Sequence, residues 1–244
     1  MAYIAAIVLE LSSPEPLLYA WSLIALALYG AFLGSYGYCI NTYSDRKDDE
    51  RVGKHPHITY FTPPQHLAIV VFFGIGALAI PFLYSSWEIK ALGVVNFLLA
   101  SLYSIRPFRL KERGIFGPLT ATIVQRPLLF LFFALLVPWK PLMVGYLLGW
   151  LLLSGLLVEY AQQLIDYEND HKAGVKTWAQ NIGYAAARRT TQITKALTII
   201  YTCIPPLLFG LEDGLVTTMI LAVFSRDSFI YVILSLKTKN PEQK

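Results

Sequence analysis

The sequence predicts an all-α protein, a polytopic transmembrane helix bundle. Three observations predict it. Of 244 residues, 55% are hydrophobic and only 15% charged, whereas a soluble domain usually carries about a quarter charged residues. The mean hydropathy is +0.51. The apolar residues also come in long runs, and a run of about 20 crosses the hydrocarbon core as a helix that satisfies its own backbone.

Seven spans follow in order, over about 17–40, 66–85, 88–105, 115–137, 141–163, 190–209 and 214–236. Residues 3–11 (YIAAIVLEL) are too short to cross alone and read as half of an eighth helix or an interfacial segment. Orientation comes from the basic residues. The segments after the first, third, fifth and seventh spans hold fifteen of the twenty Lys and Arg residues, among them Arg46, Lys47, Arg109, Lys111, Lys172 and Lys176. These segments are expected on the cytoplasmic side, with short turns opposite.

The net charge of +4 is modest and is explained by that bias, so no nucleic-acid partner is implied. Cys39 and Cys203 lie in apolar runs and give neither zinc spacing nor a disulfide framework. Residues 1–11 lack the basic flank and cleavage site of a signal peptide. Nothing marks a linker or second domain, so residues 1–244 read as one transmembrane domain.

The chemistry concentrates at helix ends. The first span runs into Asn41-Thr-Tyr-Ser-Asp45-Arg-Lys-Asp48-Asp49. On a continued helix Asn41, Asp45 and Asp49 share one face. The fifth runs into Glu159-Tyr-Ala-Gln-Gln163-Leu-Ile-Asp166-Tyr-Glu-Asn-Asp170, so Glu159, Gln163, Asp166 and Asp170 form a second polar stripe. Like charges one turn apart repel, more so beside a low-dielectric membrane. Two such pairs make sense around a cation. Oxygen ligands alone select a hard ion, and Mg²⁺ takes one or two carboxylates and completes its shell with water and phosphate oxygens. The pattern therefore suits a diphosphate held through Mg²⁺. The plainer reading, solvated helix ends, serves for one carboxylate better than for two pairs in register.

Basic residues complete the set. Arg106, Arg109, Lys111 and Arg113 follow the third span on the same face. Arg binds phosphate bidentately and Lys as a point charge; Arg109, Lys111 and Lys176 are the preferred phosphate ligands. For any one of them, ordinary loop charge is the alternative. Arg126 differs: it sits midway along the fourth span before Pro127, where a charge normally faces an interior cavity. It is expected to hold the phosphate or an anionic group of a second substrate.

These residues resemble the UbiA superfamily of intramembrane prenyltransferases. Its first motif, N-D-x-x-D-x-x-x-D, aligns with Asn41 to Asp49. Its second, D-x-x-x-D followed by Gly, a basic residue and Ser or Thr, aligns with Asp166 to Thr177. Tyr103 to Arg113 looks like the family's loop after its fourth helix. The resemblance implies a bundle of up to nine helices around a central cavity open to lipid, in which Mg²⁺ holds a prenyl diphosphate between the Asp motifs. The allylic C–O bond ionises and a lipophilic acceptor, aromatic or otherwise, is alkylated. Asn41, Asp45, Asp49, Asp166 and Asp170 are then the metal-binding set, and the four aspartates the catalytic one. Tyr38, Tyr103, Glu159, Tyr160 and Gln163 are expected around the substrates. Three departures stand out: Thr42 replaces the usual Asp, the first helix is absent or reduced to residues 3–11, and Arg226-Asp227 interrupts the last span.

Three other readings, one enzymatic and two not, are compatible with parts of the pattern. A terpene cyclase would share the ionisation and need no acceptor. A transporter would need ionisable residues at depth and an inverted repeat, whereas the acids here cluster at one face. A scaffold that has lost helices is the last alternative.

Overall fold

The computed structural model describes residues 16–51, 60–136, 140–211, 214–223 and 233, and every regular element among them is helical. The first helix, α1 (Pro16–Arg51), has 36 residues. At 1.5 Å per residue it is about 54 Å long. It therefore crosses the bilayer and still carries the first acidic motif on its last turns.

Two capped helices follow. α2 (Pro63–Phe82) starts in a capping box, with Thr62 and Gln65 meeting each other's backbone amides. α3 (Trp87–Ser104) starts at Ser86, whose hydroxyl accepts from the Ile89 amide. A 3₁₀ turn, Leu110–Glu112, leads into α4 (Phe116–Gln125) and α5 (Pro127–Ala134). Then come α6 (Pro141–Ile165), α7 (Tyr167–Ala173), α8 (Trp178–Ile182), α9 (Tyr184–Thr202) and α10 (Pro205–Phe209), with α11 over Gly214–Val223.

Among the described residues, five helical stretches are long and apolar enough to cross a membrane, against the seven expected: Trp21–Lys47, Pro63–Phe82, Phe116–Ala134, Pro141–Ile165 and Tyr184–Phe209. The third expected span forms as α3, only 18 residues long, with Asn96 wholly buried in it. The last is described only through Val223 and at Ile233, so Arg226 and Asp227 lie outside the described residues, as do residues 3–11.

The fourth span is not one helix. Its backbone leaves helical geometry at Arg126 (φ −131°, ψ −73°), because Pro127 has no amide to donate and its ring disfavours helix for the residue before it. The sixth begins earlier than expected, at Tyr184, and is likewise interrupted ahead of Pro205 and Pro206.

α1 packs most extensively on α2, and α6 on α9, while α4 bridges α3, α6 and the 3₁₀ turn. Small residues let the helices close: a Cβ on Gly76 would sit 2.0 Å from the Phe32 ring, and one on Gly93 would sit 2.4 Å from Pro81. Such contacts are what holds helices together in lipid, where the hydrophobic effect is absent. The main core gathers Tyr29, Tyr36, Phe130, Phe132, Phe133 and Trp150, with Tyr29 stacked on Phe132 at 4.4 Å. A second, smaller core lies under the α6–α9 turn.

Candidate active site

The polar face of α1 meets the loop that follows α3. Because α1 stays helical to Arg51, Asn41 and Asp45 project from one face, as their spacing requires. Ser104, the last residue of α3, donates to Asn41 Oδ1 at 3.1 Å, and Lys111 Nζ reaches the same oxygen at 2.8 Å. Asp45 takes a different cation on each oxygen: Arg109 Nη2 on Oδ1 at 2.9 Å, and Lys111 Nζ on Oδ2. Arg109 also pairs with Glu112, Nε to Oε1, at 2.8 Å. Asp49 lies on the last turn of α1, and its side chain is outside the described residues.

The loop holding these cations is constrained. Arg109 is buried, with 7% of its surface exposed, and takes the left-handed conformation (φ 39°, ψ 60°). For a residue with a Cβ this costs on the order of 1–2 kcal/mol. The pairs to Asp45 and Glu112 hold it there. The Lys111 carbonyl rests on α4: a Cβ on Gly117 would come within 2.8 Å of that oxygen. Burial lowers the Lys111 pKa from its ordinary value, and the Asp45 charge opposes that shift.

Below this network lies a cavity of about 740 Å³. α1 contributes Leu33, Gly34, Gly37, Tyr38 and Asn41; α3 contributes Ala100 and Tyr103. α4 and α5 contribute Thr120, Ala121, Gln125 and Leu129, with Arg126 at the break between them. Glu159 and Gln162 close it from α6. Arg126 packs over Gly155 of α6, where a Cβ would lie 2.8 Å from its Cδ. Its charge acts on Glu159, while Tyr103 feels both Glu159 and Asp45. The two motif helices thus open onto one space. Asn41 lies one turn before Asp45, and Gln162 one turn before Asp166.

The second acidic end is built differently. α6 stops at Ile165, and Asp166 is the bend from which α7 restarts, the Asp170 amide donating to the Asp166 carbonyl at 2.8 Å. The expected single stripe is therefore bent at its first aspartate. Asp166 is exposed and Asp170 half-buried. α7 ends at Gly174 in the left-handed region (φ 67°), as helices that reverse direction commonly do. Lys176 is exposed on the turn before α8.

Among the described residues, Tyr38, Asn41, Tyr103, Arg126 and Glu159 share the cavity, while Arg109 and Lys111 sit at its rim on Asp45. Two expected cavity residues do not line it. Tyr160 is buried against Trp178, stacked at 4.1 Å. Gln163 accepts from the Ala179 amide at 3.1 Å and thereby ties α6 to α8. Gln162 takes its place: with Glu159 it forms the polar part of the cavity wall on α6, while Gln163 turns to α8. Thr42, at the position of the departure, is buried and donates to the Tyr38 carbonyl at 2.9 Å.

The profile of the UbiA prenyltransferase family matches residues 1–244, the whole chain. This chain belongs to the UbiA prenyltransferase family. It is a membrane enzyme of the prenyltransferase class. Solved structures agree in fold. A UbiA homologue from Archaeoglobus fulgidus bound to DMAPP and Mg²⁺ matches with a TM-score of 0.70 at 17% identity, covering 86% of this chain and 75% of that one. A UbiA homologue from the same organism bound to GPP and Mg²⁺ gives 0.70 at 16%, covering 87% and 75%. A digeranylgeranylglyceryl phosphate synthase gives 0.64 at 18%, covering 96% and 91%. No curated protein matches.

Sequence reasoning missed some lining residues of this UbiA-family cavity. Gln162 was within the quoted motif, and its position three residues after Glu159 was the signal. Ser104, which supports Asn41 rather than lining the cavity, sits beside Tyr103 in the basic-loop motif. Gly34 and Gly37 carried a signal too, since they continue the Asn41–Asp45 face inward.

Proposed function

We propose that this chain transfers a polyprenyl group from a prenyl diphosphate to a lipophilic acceptor, in an Mg²⁺-dependent reaction at the cavity between α1 and α6. The observation that carries this reading is that single cavity, which takes Asn41 from one motif helix and Glu159 and Gln162 from the other. The match to homologues bound to DMAPP or GPP with Mg²⁺ supports it.

The donor set fits the ion. Asn41 and Asp45 present only oxygen, one turn apart, and Asp166 and Asp170 repeat the spacing. Among the described residues no three His, Cys, Asp or Glu side chains gather into a metal site of their own. Mg²⁺ takes one or two carboxylates and completes its shell with phosphate oxygens and water. Asn41, Asp45 and Asp49 would hold it on one side, and Asp166 and Asp170 on the other. When bound, the ion neutralises charge on the departing diphosphate.

The chain's own cations share that task. Lys111 and Arg109 are already beside Asp45, and Lys176 follows the second motif; they meet phosphate oxygens as the bond breaks, which is worth most where water is excluded. The prenyl C1–O bond breaks, the acceptor bonds to C1, and diphosphate and a proton leave. Arg126 and Glu159 form the polar wall for the acceptor's polar end. The motifs face the cytoplasm by the positive-inside bias.

The test uses purified protein in lipid nanodiscs with radiolabelled prenyl diphosphates, a panel of quinone-precursor and glycerol-lipid acceptors, and either Mg²⁺ or EDTA. Diphosphate release that needs Mg²⁺ and disappears in Asp45→Ala and Asp166→Ala is the expected result. Turnover undiminished in EDTA, or surviving both substitutions, removes the proposed site.

A further inference from the structure

Glycines at helix contacts in this bundle have a visible reason: Gly76, Gly93 and Gly155 each lie where a Cβ would collide with a neighbour. Gly34 and Gly37 have none. A Cβ built on either meets nothing within 4 Å. Both lie inside α1 in helical conformation. A glycine there costs about 1 kcal/mol relative to alanine, so neither packing nor backbone geometry calls for it. What the two positions share is the cavity: both form its wall.

They also share a direction. Gly34, Gly37, Asn41 and Asp45 stand at i, i+3, i+7 and i+11, one continuous row on α1. From Asn41 the row descends one turn to Gly37 and two turns to Gly34, about 10 Å of bare helix at 1.5 Å per residue. The cavity they face takes apolar lining from Leu33, Ala100, Ala121 and Leu129. It takes hydroxyl or amide groups from Tyr38, Tyr103, Thr120 and Gln125. The polar groups at depth, Arg126 and Glu159, come from other helices. The two glycines therefore leave a stretch of helix without side chains along α1, leading away from Asn41 and Asp45, that a hydrocarbon chain can lie against.

We propose that Gly34 and Gly37 determine which donors the enzyme accepts: the prenyl tail lies along the uncovered α1 backbone, and the two missing side chains set how long it can be. The proposal rests on the prenyltransferase reading above and adds to it the residues that measure the donor. Gly37 lies nearer the diphosphate end and governs the first part of the tail. Gly34 governs what extends past it.

The test measures binding, so it does not depend on finding the acceptor. Unreactive thiolodiphosphate analogues of the dimethylallyl, geranyl and geranylgeranyl donors are titrated with Mg²⁺ into the protein in nanodiscs. Wild type is compared with Gly34→Leu, Gly37→Leu and Gly145→Leu; Gly145 also has open space at its Cβ but lies outside the cavity. Gly34→Leu weakens the geranylgeranyl analogue at least about tenfold relative to the dimethylallyl one, the scale of extra or missing methylenes in an apolar pocket. Gly37→Leu extends the penalty to the geranyl analogue, and Gly145→Leu leaves the ratios unchanged. The alanine variants at 34 and 37 melt at or above the wild-type temperature and shift the ratios the same way by less, which keeps the test valid if a leucine variant does not fold. A flat profile across chain lengths, an equal shift from Gly145→Leu, or alanine variants that melt lower overturns the assignment while leaving the transferase reading intact. Wild type that binds none of the analogues sinks both.

Discussion

The two acid-bearing helix ends of this bundle differ in construction. At the α1 end the helix runs straight through its motif, and the loop after α3 folds onto it with Lys111 and Arg109 on the two oxygens of Asp45. At the α6 end the helix stops at Asp166, and short helices are stitched beneath it by side-chain amides and aromatic rings. Gln163 meets the Ala179 amide, Gln180 Nε2 donates to the Tyr167 carbonyl at 2.6 Å, and Trp178 stacks on Tyr160. The first end is set by charge and the second by packing. Groups that must let go of one another to receive an ionic ligand suit the first; a fixed platform suits the second.

The comparison breaks or holds on paired substitutions. The largest effect is expected from Asp45→Ala and Asp166→Ala, each lowering turnover by at least about 100-fold. Only the first also lowers stability, by about 2 kcal/mol, because Lys111 and Arg109 lose the carboxylate they share. Thermal melts in detergent separate the two, and equal stability losses refute the contrast.

Next comes Trp178→Ala, which empties the second core and costs about 3 kcal/mol. Donor affinity falls with it, as read by titration, yet the melt depends on salt no more than that of wild type does. Gly117→Ala forces the Lys111 carbonyl away from α4. It costs about 1–2 kcal/mol and raises KM for the donor roughly tenfold through the displaced cations. An unchanged KM would mean that the basic loop adjusts freely. The smallest effect is Gly174→Ala, where a side chain must adopt positive φ: about 1 kcal/mol, with a turnover loss of a few-fold from loosened Asp170. A larger loss than for Gly117→Ala would mean that the second end is the more delicate one.

Much of this was legible in the residue order. Asn41 and Asp45 share a face because nothing between Pro16 and Arg51 interrupts the helix. Arg126 lines the cavity at the break that Pro127 makes between α4 and α5, and a charge at that depth is expected to face an interior space. What escaped depended on partners distant in sequence. Gln162 and Gln163 are equivalent by composition; only the docking of α8 decides which one faces inward. Tyr160 reads as a cavity aromatic until Trp178, eighteen residues on, covers it. The sequence separates the acids proposed to bind metal from the bases proposed to bind phosphate, but it does not show that Asp45 and Lys111 grip each other across 66 residues. That pairing follows from a left-handed turn at Arg109, a conformation that residue type does not announce.

The break at Arg126 has a consequence for the interior as a whole. Proline withholds an amide from the preceding turn of α4, at a depth where lipid offers no substitute donor. Such a backbone is tolerated where it is buried in protein or lines a polar cavity, and here it borders the chamber lined by Arg126 and Glu159. On the function proposed above, a water-sensitive allylic species forms there. The donor's hydrocarbon tail, if it lies over the bare flank of α1 as proposed, then excludes solvent from the site. On that reading the substrate furnishes its own seal, and a donor too short to cover the glycines is expected to be lost to hydrolysis more often than to transfer.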